Sequence, residues 1–394
     1  MDNNIIKSSY KFNGSKLKSA RLYRGLSLTD LGEKIELSKQ TLSLYENNKR
    51  IPDFSTIIKL ANTLHFPNKY FFGEEKKNIY YSSTYFRSFA STSKKSRTME
   101  ILKVEYISEL YKALYDLVEF PRLNIPNIDI KKKIIDDEYI DKLALELRKY
   151  WNLGTKPIDD LQYTLEENGL LIVGSYLDDR KIDAFSKRIE FNKNETFIIV
   201  LSIGQKPKSR INFDLAHELG HIMLHPWTEN LESLSHDEFK ERERQANKFA
   251  SSFLLPKDSF KKECEKNPKD LNYYIMLKNV WHCSIQAMIY RANDLGLISN
   301  NQFQYLLRKI NKNGWRTNEP LDFPHELNET VFKGAIDLLF DNSYTKQQIL
   351  DLFNELSISL YSDEIEELLN LPEGYLKIEE KVKSRVIEFK IKKK

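Results

Sequence analysis

Two histidines one helical turn apart enclose a glutamate in the run His217-Glu218-Leu219-Gly220-His221. At a spacing of four residues both imidazoles leave the same face of an α-helix, so both can reach one cation. The Glu218 carboxylate can approach a water held there and act as a general base. Phe213, Leu215 and Ala216 before the run, and Ile222, Met223 and Leu224 after it, supply an apolar wall that buries the helix. Catalytic Zn2+ takes three protein ligands and leaves a position for water. The third ligand is expected to be a carboxylate or His on a neighbouring element. Glu243 is the first candidate and Glu241 the alternative. Asn247, one turn beyond Glu243, shares its face and can hydrogen-bond a ligating imidazole. Small Ala246 and Ala250 allow the two helices to approach closely. His225 reads as a packed or hydrogen-bonding side chain rather than a ligand, and His236 as a loop residue.

The elements needed to position these groups are legible around them. A helix is expected over 211–224, and a second from near Asp237 to Leu255, where Pro256 stops it. Upstream, helices are expected from Asp136 to Trp151 and over 158–167, the latter ended by Asn168-Gly169. Leu170–Val173 and Thr196–Ser202, rich in Ile, Val and Phe, read as strands. The second of these, just before the histidine helix, is expected to pair with an extended peptide substrate.

A second group of residues suits nucleic acid. Ser27 caps a short helix over Leu28–Ile35, Glu36-Leu37 makes a turn, and Ser38 caps the next helix. That next helix presents Lys39, Gln40 and Ser43 on its polar face, where they can meet base edges, while Leu42 and Tyr45 face inward. Asn48, Lys49 and Arg50 follow where phosphate contacts are expected. Arg21 and Arg24 are open to either a structural or a phosphate-binding reading.

Composition sets the limits. The 394 residues, 41% of them apolar, suffice for two or three domains with real cores. A net charge of +4 excludes a general polycation, so DNA binding must come from a local surface. Residues 1–75 hold twelve Lys and Arg against eight acids. Two cysteines, Cys264 and Cys283, exclude a disulfide scaffold and fit a reducing compartment. No apolar run approaches ~18 residues, so no membrane contact is expected. Met1-Asp2-Asn3-Asn4 lacks the features of a signal peptide, which points to the cytoplasm.

The expected fold is mostly α with a small β-sheet, α+β. Its parts are a helix-turn-helix domain over 10–75, a helical connector over 76–135, a metal-binding domain over 136–320 and a helical C-terminal region over 321–394. The basic tail from Lys377 reads as a solvated end. In the connector, Ile107, Leu110, Leu114 and Leu117 form an apolar stripe at helical spacing. It is either core of the next domain or a face that pairs two chains into a homodimer.

The run Phe213 to His225, with Glu243-x-x-Ala246-Asn247-x-Phe249-Ala250 and Leu254-Leu255-Pro256, resembles the ImmA/IrrE family of zinc metallopeptidases, a gluzincin-like group. Weaker similarity extends through Asp183-Ala184-Phe185-Ser186 to Trp315-Arg316-x-x-Glu319-Pro320, covering roughly residues 137–320. The resemblance implies zinc held by His217, His221 and Glu243, with Glu218 as general base. Ser27 to Asn48 with Arg50-Ile51-Pro52 resembles the XRE/Cro helix-turn-helix family. It departs from that pattern at Leu28, where Gln often reaches DNA, and at Asn48, where Gly is usual. Together the resemblances imply a DNA-binding transcriptional regulator whose endopeptidase half cleaves a partner protein, a repressor or an antitoxin. The alternative is a non-proteolytic regulator or antitoxin whose zinc domain is a sensor or interaction module.

Overall fold

The computed structural model describes residues 11–73, 79–86, 93–127, 135–175, 183–204, 206–227, 234–323, 327, 330–355 and 359–378. The basic tail expected from Lys377 lies, beyond Ile378, outside the described residues.

Short polar side chains start the first four helices: α1 (Gly14–Tyr23), α2 (Leu28–Ile35), α3 (Lys39–Glu46) and α4 (Phe54–Leu64). Ser27 closes a capping box with Asp30, Ser38 accepts from the Thr41 amide, and Asp53 accepts from the Thr56 amide. Glu36 adopts left-handed backbone, φ 60°, and turns the chain between α2 and α3. Gly14 lets α1 and α3 touch, because a Cβ there would lie 2.1 Å from the Tyr45 carbonyl oxygen. Arg21 on α1 is structural. It grips Glu46 on α3 through bonds of 2.6 and 2.9 Å, and both side chains are buried.

A four-stranded sheet follows: β1 (Tyr80–Phe86), β2 (Leu171–Ser175), β3 (Ala184–Phe191) and β4 (Asn194–Ser202), in the order β1-β3-β4-β2. β3 and β4 form an antiparallel hairpin turned by Asn192 and Lys193, both at positive φ, as a two-residue turn requires. β2 runs parallel to β4, and β1 antiparallel to β3. The expectation that Thr196–Ser202 takes an extended substrate is therefore corrected. Both edges of β4 are already hydrogen-bonded, so no ladder position is left on it.

The sheet separates two hydrophobic cores, and strand alternation decides which side chain enters which. Leu171, Val173, Phe185, Ile189, Ile198 and Val200 face one core. That core is shared with α1–α4, with the long helix α5 (Lys94–Tyr115) and with three C-terminal helices: α14 (Val331–Asp341), α15 (Lys346–Asn354) and α16 (Ser362–Leu368). Ile172, Ala184, Phe197, Ile199 and Leu201 face the other core. It is closed by α6 (Asp137–Tyr150), α7 (Leu161–Glu167), α8 (Lys208–Leu224), α9 (His236–Leu254), α10 (Lys257–Cys264), α11 (Leu271–Trp281), α12 (Ile285–Asp294) and α13 (Asn300–Lys312).

Ile107, Leu110 and Leu114 on α5 are buried in the first core, and Leu117 lies exposed past the helix end. The stripe is thus core and is not free to pair two chains. Arg24 is also structural, reaching Glu364 of α16 at 2.5 Å and the Leu64 carbonyl at 2.8 Å. Tyr23 donates to the same Glu364, and His65 meets Asp363 at 2.8 Å, so the C-terminal helices are tied directly to the N-terminal ones.

Candidate metal centre and nucleic-acid interface

From Asp214 onward α8 is buried along its whole length, and α9 packs against it. Gly220 permits the approach: a Cβ there would sit 3.1 Å from both Cα and O of Ala246. The contact brings the α9 carboxylate to the α8 imidazoles. His217 Nε2 and His221 Nε2 lie 3.1 Å apart, and Glu243 oxygens lie 3.5 and 3.2 Å from them. A tetrahedral zinc with bonds of ~2.0–2.1 Å needs ligand atoms about 3.3–3.4 Å apart. The two nitrogens, and each nitrogen with its nearer Glu243 oxygen (Oε2 for His217, Oε1 for His221), are spaced on that scale. Among the described residues these three form the one set of His, Cys, Asp or Glu side chains able to hold a metal ion. The alternative, Glu241, is turned to Arg244 at 2.8 and 2.9 Å and to Gln245 at 3.1 Å.

The hydrogen bonds behind the triangle fix the tautomers. His217 Nδ1 meets Asn247 Oδ1 at 3.1 Å, so Nδ1 carries the proton and the Nε2 lone pair faces the centre. His221 Nδ1 lies 3.0 Å from His225 Nδ1, and His225 Nε2 lies 3.0 Å from Gln245 Oε1. One assignment satisfies all three groups: His221 donates to His225, and His225 donates to the Gln245 carbonyl. It requires a neutral His225. Burial first, and the neighbouring His221 next, push His225 well below the usual histidine value. Glu243 is held down at about 2; burial raises it, but the hydrogen bonds and positive charge that the two imidazoles offer it when Nε2 also carries a proton, a place that a bound cation would take, outweigh burial.

Glu218 and Ser186 are fully buried, and Ser186 Oγ on β3 donates to Glu218 Oε2 at 2.6 Å. The bond fixes the carboxylate in direction. The sequence reading missed the partners Ser186 and Gln245. The available signals were His225, a turn beyond His221, for Gln245, and the run Asp183-Ala184-Phe185-Ser186 in the family resemblance for Ser186.

On the other arm, Lys39, Gln40, Asn48, Lys49 and Arg50 are exposed and Ser43 is half-buried. Ser43 is also engaged by the Asn47 amide, which donates to its carbonyl at 2.7 Å. Asn48 stands at φ 56°, the conformation that favours glycine, and its Oδ1 accepts the Gly14 N–H at 2.8 Å. Its side-chain oxygen thus ties the end of α3 to the start of α1.

Residues 17–67 match the helix-turn-helix family, and residues 166–293 match the family described as the IrrE N-terminal-like domain. The chain joins an XRE-type helix-turn-helix domain to an IrrE/ImmA-like peptidase domain. It is 26% identical over 149 residues to the HTH-type transcriptional regulator ImmR of Bacillus subtilis (strain 168), across 38% of this chain and 95% of that protein. No described helix is long and apolar enough to cross a membrane.

Proposed function

We propose that this protein is a DNA-binding regulator carrying a zinc-dependent endopeptidase, which cleaves a partner repressor or antitoxin-like protein in the cytoplasm. The observation that carries the reading is the triangle of His217, His221 and Glu243, with a buried, oriented Glu218 beside it. Zinc held by the three residues would polarise a peptide carbonyl and lower the pKa of water toward neutrality. Glu218, held by Ser186, accepts the proton of the attacking water and returns it to the leaving amine. Asn247, and the pair His225 and Gln245, keep both imidazoles aimed at the centre. The exposed face of α3, with Lys39, Gln40 and Ser43, reads base edges of duplex DNA, and Lys49 and Arg50 meet phosphates. Asn48 supports that surface through Gly14. If two chains bind a two-fold-symmetric site, the homodimer must use a face other than the α5 stripe.

The kinship with a transcriptional regulator supports the DNA arm in particular. It also keeps open a regulator whose metal domain senses or binds without cutting. Incubating wild-type and Glu218→Gln protein with the products of neighbouring genes, then searching for new peptide termini by mass spectrometry, separates the two. Termini formed by wild type alone support the peptidase. Identical spectra from both proteins overturn it.

A further inference from the structure

A cleft of about 730 Å³ opens beside the metal triangle. Its floor is set by helix periodicity. Phe213 lies four residues before His217 on α8, and Asn247 four residues after Glu243 on α9, so both line the faces that carry the ligands. Four residues of helix span about 6 Å, and an extended peptide covers that in about two residues. The cleft therefore lies where a bound segment would place side chains about two positions from the bond at the metal.

The walls are chemically asymmetric. Every lining acid has a cation partner. Asp183 and Asp214 bind Lys206 at 2.8 and 3.2 Å, Asp294 binds Lys248 at 2.6 Å, and Glu319 and Asp322 share Lys278. The lining cation Arg244 is likewise spent on Asp137 and Glu241. Arg210 and Arg316 differ: both are exposed in the lining, and neither makes an ion pair among the described residues. The lining also holds three aromatic rings, half-buried Phe213 and Trp315 and half-exposed Tyr290, which packs nearly perpendicular to Phe303 with ring centroids 5.0 Å apart. Guanidinium groups favour carboxylates, which they can grip in a fork. Apolar flanks favour a large apolar side chain.

We propose that this cleft is the specificity subsite of the peptidase, selecting a protein segment in which Asp or Glu adjoins an aromatic or large aliphatic residue about two positions from the cut. The proposal rests on the peptidase reading.

The probe is a synthetic library of twelve-residue peptides with randomised central positions. Full-length, zinc-loaded Glu218→Gln protein is immobilised, and bound peptides are sequenced by mass spectrometry. Soluble wild type is given the same library, and its cleavage windows are read. Bound peptides and cleavage windows should both be enriched in acidic residues beside apolar ones. Arg210→Glu and Arg316→Glu, made in the Glu218→Gln background, should each weaken acidic peptides about tenfold, the scale of one charge-assisted bond. They should turn the preference toward Lys and Arg, with zinc content and thermal midpoint unchanged. Cleavage without acidic enrichment, or enrichment indifferent to both reversals, overturns the subsite and leaves the peptidase standing. Binding that depends on both arginines with no cleavage by wild type overturns the peptidase and keeps a peptide site. Neither binding nor cleavage overturns both.

Discussion

Replacing Asn247 by Ala removes the acceptor 3.1 Å from His217 Nδ1 and leaves every proposed metal ligand in place. Loss of such a partner typically costs 10–100-fold in metal affinity, or about 1.4–2.7 kcal/mol at 1.36 per decade. Burial decides where in that range each change falls. Asn247 is half-buried and lines the cleft, so water can take over the His217 N–H once the side chain is gone. The expected loss is near tenfold. At His221 the partner His225 is 3% exposed, so His225→Phe leaves a buried donor with no replacement. An unsatisfied buried donor costs about 1–3 kcal/mol, which puts that loss near a hundredfold. Asn247→Asp still accepts from Nδ1 and should bind at least as tightly as wild type. Competition with a fluorescent zinc chelator at pH 7.5 reads all three, with circular dichroism as the control for folding. Equal affinity in Asn247→Ala and wild type, or a larger loss there than in His225→Phe, would refute the reasoning.

Three further outcomes follow from other parts of the chain. Glu46→Ala strands the Arg21 guanidinium in the helix-turn-helix core, where it is 8% exposed by side chain, and breaking a buried pair costs about 3–5 kcal/mol; urea denaturation followed at the N-terminal helices should show a loss of that order. Lys49→Ala and Arg50→Ala should each weaken binding to all duplex sequences and lower the salt slope by about one; fluorescence anisotropy across a salt series checks this, and unchanged slopes would count against the phosphate role. Burial lifts the Glu166 carboxyl from 4.5 to about 8, against the Val331 N–H it accepts. A raised acid favours the folded state fully below about 4.5 and loses that contribution as pH climbs through about 8. Glu166→Gln should therefore flatten the decline in melting temperature over that window, and a parallel decline in both proteins would contradict it.

What could be read from the sequence was local. Ser27 and Ser38 announce α2 and α3 because an N-cap acts within three residues. His217 and His221 announce a metal because both sit on one helical face. The hidden features depend on distant partners. Tyr80–Phe86 falls in the stretch expected to be a helical connector, yet it is the edge strand of the sheet. β3 carries Ser186, Lys187, Arg188 and Glu190, which mask the alternation of a strand. Ser186 turns its hydroxyl to Glu218, and Lys187 lies over the Tyr81 ring of β1 with its Nζ 4.8 Å from the centroid. The α5 stripe gave its burial but not its partner, since the C-terminal helices that cover it lie more than two hundred residues away in sequence. That Asn48 Oδ1 also ties α3 to α1 became visible only once Gly14 was brought beside it. Gln245 became visible only once α9 was laid against α8.

Elemental analysis of the purified full-length chain and three variants tests the metal centre most directly. The account predicts about one zinc per chain in wild type and in Glu218→Gln, because Glu218 faces Ser186 and is not part of the triangle. His217→Ala and Glu243→Gln should lose it. Wild type without zinc, or His217→Ala with undiminished zinc, would contradict the account.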